Sequence, residues 1–222
     1  FLLWCLRDTL PFPAREARVA YKVAPDGGPG RRVALAVVGR EPVLGQYERL
    51  LKVSGIRVAH LAPAAWHLFT LAAAFAPRAP AAGRGLLTLD GAAATLILAE
   101  AGVLRYVRTF RLPPGASASA ADPLPAAAEA EAAPREHPPW LKELGHELLR
   151  SFDHALKTSD VPQPAHLLLV GAPPDAPTLT ATLQAILEIP CVPLALPAFH
   201  ARSGGPLPPQ AAACLAAALA RP

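Results

Sequence analysis

The sequence predicts an α/β fold built on a mixed sheet, and three observations carry that prediction. Short apolar runs bounded by turn residues alternate with segments whose apolar residues recur at helical spacing. Between Arg84 and Leu112 three apolar runs follow one another, broken only at Asp90-Gly91 and Ala101-Gly102, the pattern of an antiparallel meander. The first of them, with Leu86, Leu87 and Leu89, is too continuously apolar for a surface strand, so it is expected inside a sheet covered on both faces.

A chain of 222 residues can bury a core and can hold one large domain or two small ones. Its net charge of +4 is mild, and its Lys and Arg residues are scattered rather than gathered into a stripe interleaved with aromatics, so nucleic acid is not a partner that this sequence indicates. Cys5, Cys191 and Cys214 are odd in number and far apart, which argues against a disulfide framework or a zinc site and for a reducing compartment, the cytoplasm by default.

The opening FLLWCLRDTLPF carries an apolar run too short for a signal peptide or a membrane span and reads as the last turns of a helix that begins upstream of Phe1. Arg18 to Val23 alternates as a strand, a turn-rich segment from Pro25 to Gly30 follows, and Arg32 to Val38 is the second strand of a hairpin. A glycine-rich loop cradles phosphate when a helix follows it; here a strand does. Glu41 to Ser54 is an amphipathic helix: Val43, Leu44, Tyr47, Leu50 and Leu51 share its apolar side, Pro42 suits its first turn, and Gly55 supplies a left-handed stop. Ile56 to Leu61 reads as a strand. Pro63 to Phe75 reads as a helix apolar nearly all round, hence enclosed, with His67 as a core or rim histidine rather than a catalytic base.

After the meander, Pro113 to Pro139 is Pro, Ala, Ser and Glu with hardly a large apolar residue, the composition of a flexible insert. Trp140 to Lys157 is the clearest helix, with Leu141, Leu144, Leu148, Phe152 and Leu156 on one face. His146 and His154 stand on it too far apart in angle to share a metal. His166 to Val170 is a short buried strand ending at Gly171, Pro177 to Leu187 a helix, Cys191 to Leu194 a strand, and Pro209 to Ala220 an alanine-rich closing helix.

The sequence holds no G-x-S-x-G elbow, Walker loop, HExxH helix or dinucleotide fingerprint. The candidates that remain are two strand-to-turn junctions, Asp90-Gly91 and Gly171, where an open α/β sheet normally meets a ligand.

The order of elements resembles the actin-like ATPase fold of the PilM family, the cytoplasmic actin-like component of type IV pilus assembly, itself similar to FtsA and to the cytoplasmic parts of GspL and MshI-type proteins. LRDTLPF with ARVAYKV, VALAVVGREPVLGQYERLLKVSGIRVAHLAPAAWHLF, and ELLRSFDHAL with HLLLVGAPPDAPTL carry the resemblance, in that order, over nearly the whole chain. It implies an actin-like, ribonuclease H-like mixed sheet with helices on both faces and a small inserted α+β subdomain. The implied division is 1–15 as the end of an N-terminal subdomain, 16–62 as the small subdomain, and 63–222 as the C-terminal subdomain with the insert 113–139.

The resemblance also implies nucleotide contacts at Asp90, Gly91, Thr95 and Gly171, and each departs from the family's pattern. The family's turn reads Asp-x-Gly with a Thr further on; here TLDGAAAT places Gly91 one residue early and Thr95 one place short if Asp90 is the motif aspartate, or puts Thr88 in the aspartate's place if Thr95 fixes the register. Gly171, Ala172 and Pro173 stand where the family has three glycines, the insert replaces a Gly-Gly turn and its helix, and the other phosphate loop would lie upstream of Phe1. The expectation is therefore a non-catalytic scaffold without cofactor, docked on the cytoplasmic tail of an inner-membrane PilN-like protein and on other pilus or secretion assembly proteins. It would be cytoplasmic and peripheral at the inner membrane through that partner, with no direct membrane insertion. The alternative is an ATP-binding or ATP-hydrolysing protein of the same machinery using ATP with magnesium; an unrelated α/β enzyme has no nucleophile and base that spacing would pair.

Overall fold

A computed structural model describes residues 1–23, 34–59, 61–75, 83–90, 93–100, 103–112, 139–170 and 176–194, in two compact units, Phe1–Pro63 and Ala64–Pro222. The expected turn at 25–30, the insert at 113–138 and the closing helix at 209–220 lie outside the described residues, as do Gly91 and Gly171.

The first unit begins with a short helix, α1 (Leu2–Leu6), and a 3-10 turn at Ala14–Glu16. Strands β1 (Ala17–Val23) and β2 (Ala34–Arg40) pair antiparallel, with Ala17 opposite Arg40 and Val23 opposite Ala34. Helix α2 (Glu41–Val53) follows directly. Residues directly opposite in such a pair share a face of the ribbon. Arg18 and Gly39 are one such pair, and α2 lies on their side: a Cβ on Gly39 would come 2.7 Å from Leu44 Cδ1, and Arg18 forks onto Glu41 and Glu48. The other face carries Val19, Tyr21, Val23, Ala36 and Val38.

Two expectations for this unit are corrected. The apolar residues of α2 do not form one buried face: Leu44 and Leu51 turn toward the ribbon and are half-buried, whereas Val43, Tyr47 and Leu50 face outward. Residues 56–59 form no strand. The reason is local, because the Ile56 N–H is spent on the Leu51 carbonyl and the Gly55 N–H on the Lys52 carbonyl, with Gly55 at φ +75°, which closes α2 in a Schellman motif. Ile56 thus finishes the helix instead of opening a ladder.

The second unit holds helix α3 (Ala64–Phe75), strands β3 (Arg84–Asp90), β4 (Ala93–Glu100) and β5 (Val103–Arg111), helix α4 (Pro139–Ser159), strand β6 (His166–Val170), helix α5 (Ala176–Leu187) and strand β7 (Cys191–Pro193). The five strands form one mixed sheet in the order β5-β4-β3-β6-β7: the meander is antiparallel, and β6 and β7 join β3 in parallel. One face, with Leu87, Leu96, Leu98, Leu167 and Leu169, packs on Leu144, Leu148 and Phe152 of α4 and Leu179, Leu183 and Leu187 of α5. Each such leucine stabilises by about 1.5–3 kcal/mol on burial. The opposite face, with Leu86, Ile97 and Leu168, meets Phe69, Ala72 and Ala73 of α3. The first meander strand is covered on both sides, as its composition requires.

The helices depart from expectation in two details. Of the described side chains of α3, only Ala72 is fully buried, so that helix rests against the sheet by one edge and is not enclosed; His67 is half-buried. On α4 Leu156 points outward, and Ala155, Gly145 and Ser151 are buried instead. Gly145 lets α5 approach, since a Cβ there would stand 2.8 Å from Ile186 Cδ1 and Cγ2. Ser151 is satisfied, donating to the Glu147 carbonyl at 2.7 Å and accepting from Arg108 at 3.2 Å.

Candidate functional site

The parallel pairing of β3 with β6 decides the geometry of the site. Thr88 lies opposite Val170, the last residue of β6, so the carboxyl ends of the two strands are neighbours. Asp90 is two residues beyond Thr88 and closes β3, while Gly171 is the next residue after Val170 in the chain. The carboxyl ends of β3 and β6 thus lie side by side at one end of one sheet, the end at which open α/β sheets receive ligands. Asp90 also pairs with Ala93, so only two residues, Gly91 and Ala92, connect β3 to β4.

Thr95 is half-buried on β4, opposite both Thr88 and Thr109. Its hydroxyl lies 2.9 Å from that of Thr109, and the Thr88 hydroxyl donates to the Thr95 carbonyl across a long 3.5 Å. The three threonines form a ladder across the meander, a usual source of cross-strand stabilisation. Thr109 was not singled out in the sequence; the cue available there was a threonine in each of three consecutive strands.

A cleft of about 370 Å³ opens between the end of β5 and the start of α4, lined by Arg108, Phe110, Arg111, Trp140, Glu143 and Glu147. Arg111 pairs with Ala93, so the cleft belongs to the same end of the sheet as Asp90. Its charges are largely balanced within the protein: Glu147 takes Arg108 at 3.4 Å and Arg150 at 2.6 Å. A phosphate cradle needs free N–H donors and uncommitted cations or hydroxyls. Thr88, Thr95 and Thr109 lie on the face of the sheet that carries Leu86 and Ile97, whereas Arg108 lies on the α4 face, where it meets Ser151 and Glu147.

His154 meets the Tyr106 ring edge-on, with centroids 6.0 Å apart. His166 stands opposite Arg84, and burial, then that cation, hold its imidazole below the ordinary value of 6.5. Among the described residues, no helix is long and apolar enough to cross a membrane.

No family model and no curated protein matches the chain. A solved chain of a PilM-PilN type IV pilus biogenesis complex matches 98% of this chain and 70% of its own length, with a TM-score of 0.66 at 20% identity. The chain has the actin-like fold of PilM. A second solved structure, a Bacteroides thetaiotaomicron protein with an actin-like ATPase fold and unknown function, is similar over 85% of this chain and 58% of its own, with a TM-score of 0.46 at 12% identity. In this PilM-like fold the β3-β4-β5 meander and the β6 and β7 crossovers make the sheet whose carboxyl end carries Asp90.

Proposed function

We propose that this chain is a non-catalytic scaffold of a type IV pilus or related secretion assembly machine, which docks the cytoplasmic tail of an inner-membrane PilN-like protein. The observation that carries the reading is the likeness, along almost the entire chain, to a protein of a PilM-PilN complex. The first unit offers a suitable platform. A two-stranded ribbon with one helix is too small to bury both of its faces, and the face away from α2 presents Val19, Tyr21, Val23, Ala36 and Val38, with Tyr21 and Val23 exposed. An extended tail can lay alternate apolar side chains along such a face. The small subdomain, 16–62, is the docking element, and the chain sits at the cytoplasmic side of the inner membrane through its partner.

The engaged Thr88 and Thr95 hydroxyls and the altered Asp90-Gly91 spacing support a pocket that has given up ATP chemistry. The second reading, an ATP-binding protein of the same machinery, draws on the adjacency of the β3 and β6 carboxyl ends, with Asp90, Gly91, Thr95 and Gly171 as nucleotide contacts. Two assays separate them. A pull-down with the tail of the PilN-like subunit should retain the full chain, and failure with every such tail would sink the scaffold. Titration with labelled ATP and magnesium should give no saturable binding; micromolar, magnesium-dependent binding abolished by Asp90→Ala would establish the alternative.

A further inference from the structure

Helix α2 exposes an apolar sector that the fold of its own unit leaves uncovered. Val43 is 41% exposed, Tyr47 59%, Leu50 64% and Val53 88%. At about 100° per residue these four, with Pro42 and Gln46, span a sector roughly 140° wide, and Leu44, Glu48 and Leu51 occupy the side that packs on the ribbon. Arg49 and then Lys52 follow along the free border of the sector, and Arg57 comes just after the helix.

The charges of the unit are distributed unequally. Each described carboxylate in Phe1–Pro63 is already ion-paired: Asp8 with Arg7, Glu16 with Arg40, and Glu41 and Glu48 with Arg18. Arg49, Lys52 and Arg57 are exposed and have no ion pair among the described residues. The outward side of α2 is therefore apolar and cationic, because both acids of the helix are turned inward onto Arg18. An amphipathic helix of this character lies in the plane of an anionic bilayer, its apolar residues at the acyl boundary and its cations among the headgroups.

We propose that the outer face of α2 is a contact for an anionic lipid surface, with Val43, Tyr47, Leu50 and Val53 entering the interface and Arg49, Lys52 and Arg57 meeting lipid phosphates. The contact is interfacial and crosses nothing. It uses a surface other than the ribbon face assigned to the tail, so the two readings stand or fall separately. Contact of this kind is reversible and sensitive to salt.

The test is flotation of the full chain with vesicles of pure phosphatidylcholine or with about one third phosphatidylglycerol, with no tail peptide present. The chain should float with the anionic vesicles alone, and less as salt is raised. Leu50→Asp should reduce the bound fraction roughly tenfold. Arg49→Gln with Lys52→Gln should remove the preference for anionic lipid. Both changes lie at exposed positions, and an unchanged circular dichroism spectrum confirms that the unit is folded. Absence of flotation with anionic vesicles, or flotation that Leu50→Asp leaves intact, overturns the proposal. So does a lipid-free dimer that Leu50→Asp converts to monomer, which would assign the face to a second copy of the chain.

Discussion

Burial pushes the Cys191 thiol up to about 11, and Cys191 stands behind α5 in the main core, whereas Cys5 is exposed. Reactivity follows the thiolate and its access. Iodoacetamide at pH 8 should therefore label Cys5 and spare Cys191 until the protein is unfolded, as peptide mass mapping would show; equal labelling of the two would refute the packing around β7. Arg18 gives a second test. Its hydrogen bonds hold the Glu41 and Glu48 carboxyls below their ordinary 4.5. As the pH falls below about 4.5 the unfolded chain takes up protons first, so the stabilisation present above that pH is lost as the pH passes through the depressed values. Acid unfolding of the first unit, followed by tyrosine fluorescence, should begin at higher pH in Arg18→Gln, with a weaker dependence on pH around the carboxylate range. Neither feature was legible beforehand, because both depend on side chains that the sequence separates widely: Arg18 meets Glu48 only through the turn of the ribbon back onto α2.

Elements were legible where one period governed burial. The four leucine and phenylalanine positions of α4 that begin at Leu141 are buried as their spacing requires, and all three meander strands pair in the expected order. The failures came where a local interaction competed with the pattern. Ile56 to Leu61 has a strand's composition, but its first N–H is consumed by the cap of α2. The five apolar residues of α2 share a period, yet a two-stranded ribbon is too narrow to cover more than Leu44 and Leu51. Gly145 shows the limit of reading one helix at a time, since its role is set by Ile186 on α5. Gly145→Val should destabilise the protein by about 1–3 kcal/mol through overpacking, more than offsetting the helix propensity gained. Urea denaturation would measure this, and Ile186→Ala in the same chain should recover part of the loss. A Gly145→Val protein as stable as the parent would contradict the close α4–α5 packing.

For the whole molecule, the fold was legible from the order of its elements, while the site was legible only as two separate junctions. What joins them is the parallel pairing of β3 with β6, a crossover contact that local periodicity does not encode. At that end of the sheet the threonine hydroxyls of β3, β4 and β5 stand in a row across the meander. The proposed scaffold role requires a fold that outlasts its phosphate chemistry, and the strands here depend on leucine burial rather than on turn spacing. The most direct test is a calorimetric titration of the full chain with a synthetic peptide of the PilN-like cytoplasmic tail, with and without magnesium ATP. Saturable binding of one tail per chain, weakened by Tyr21→Asp and identical with and without nucleotide, is the expected result; no heat from the tail, together with saturable magnesium-dependent heat from ATP, would contradict it.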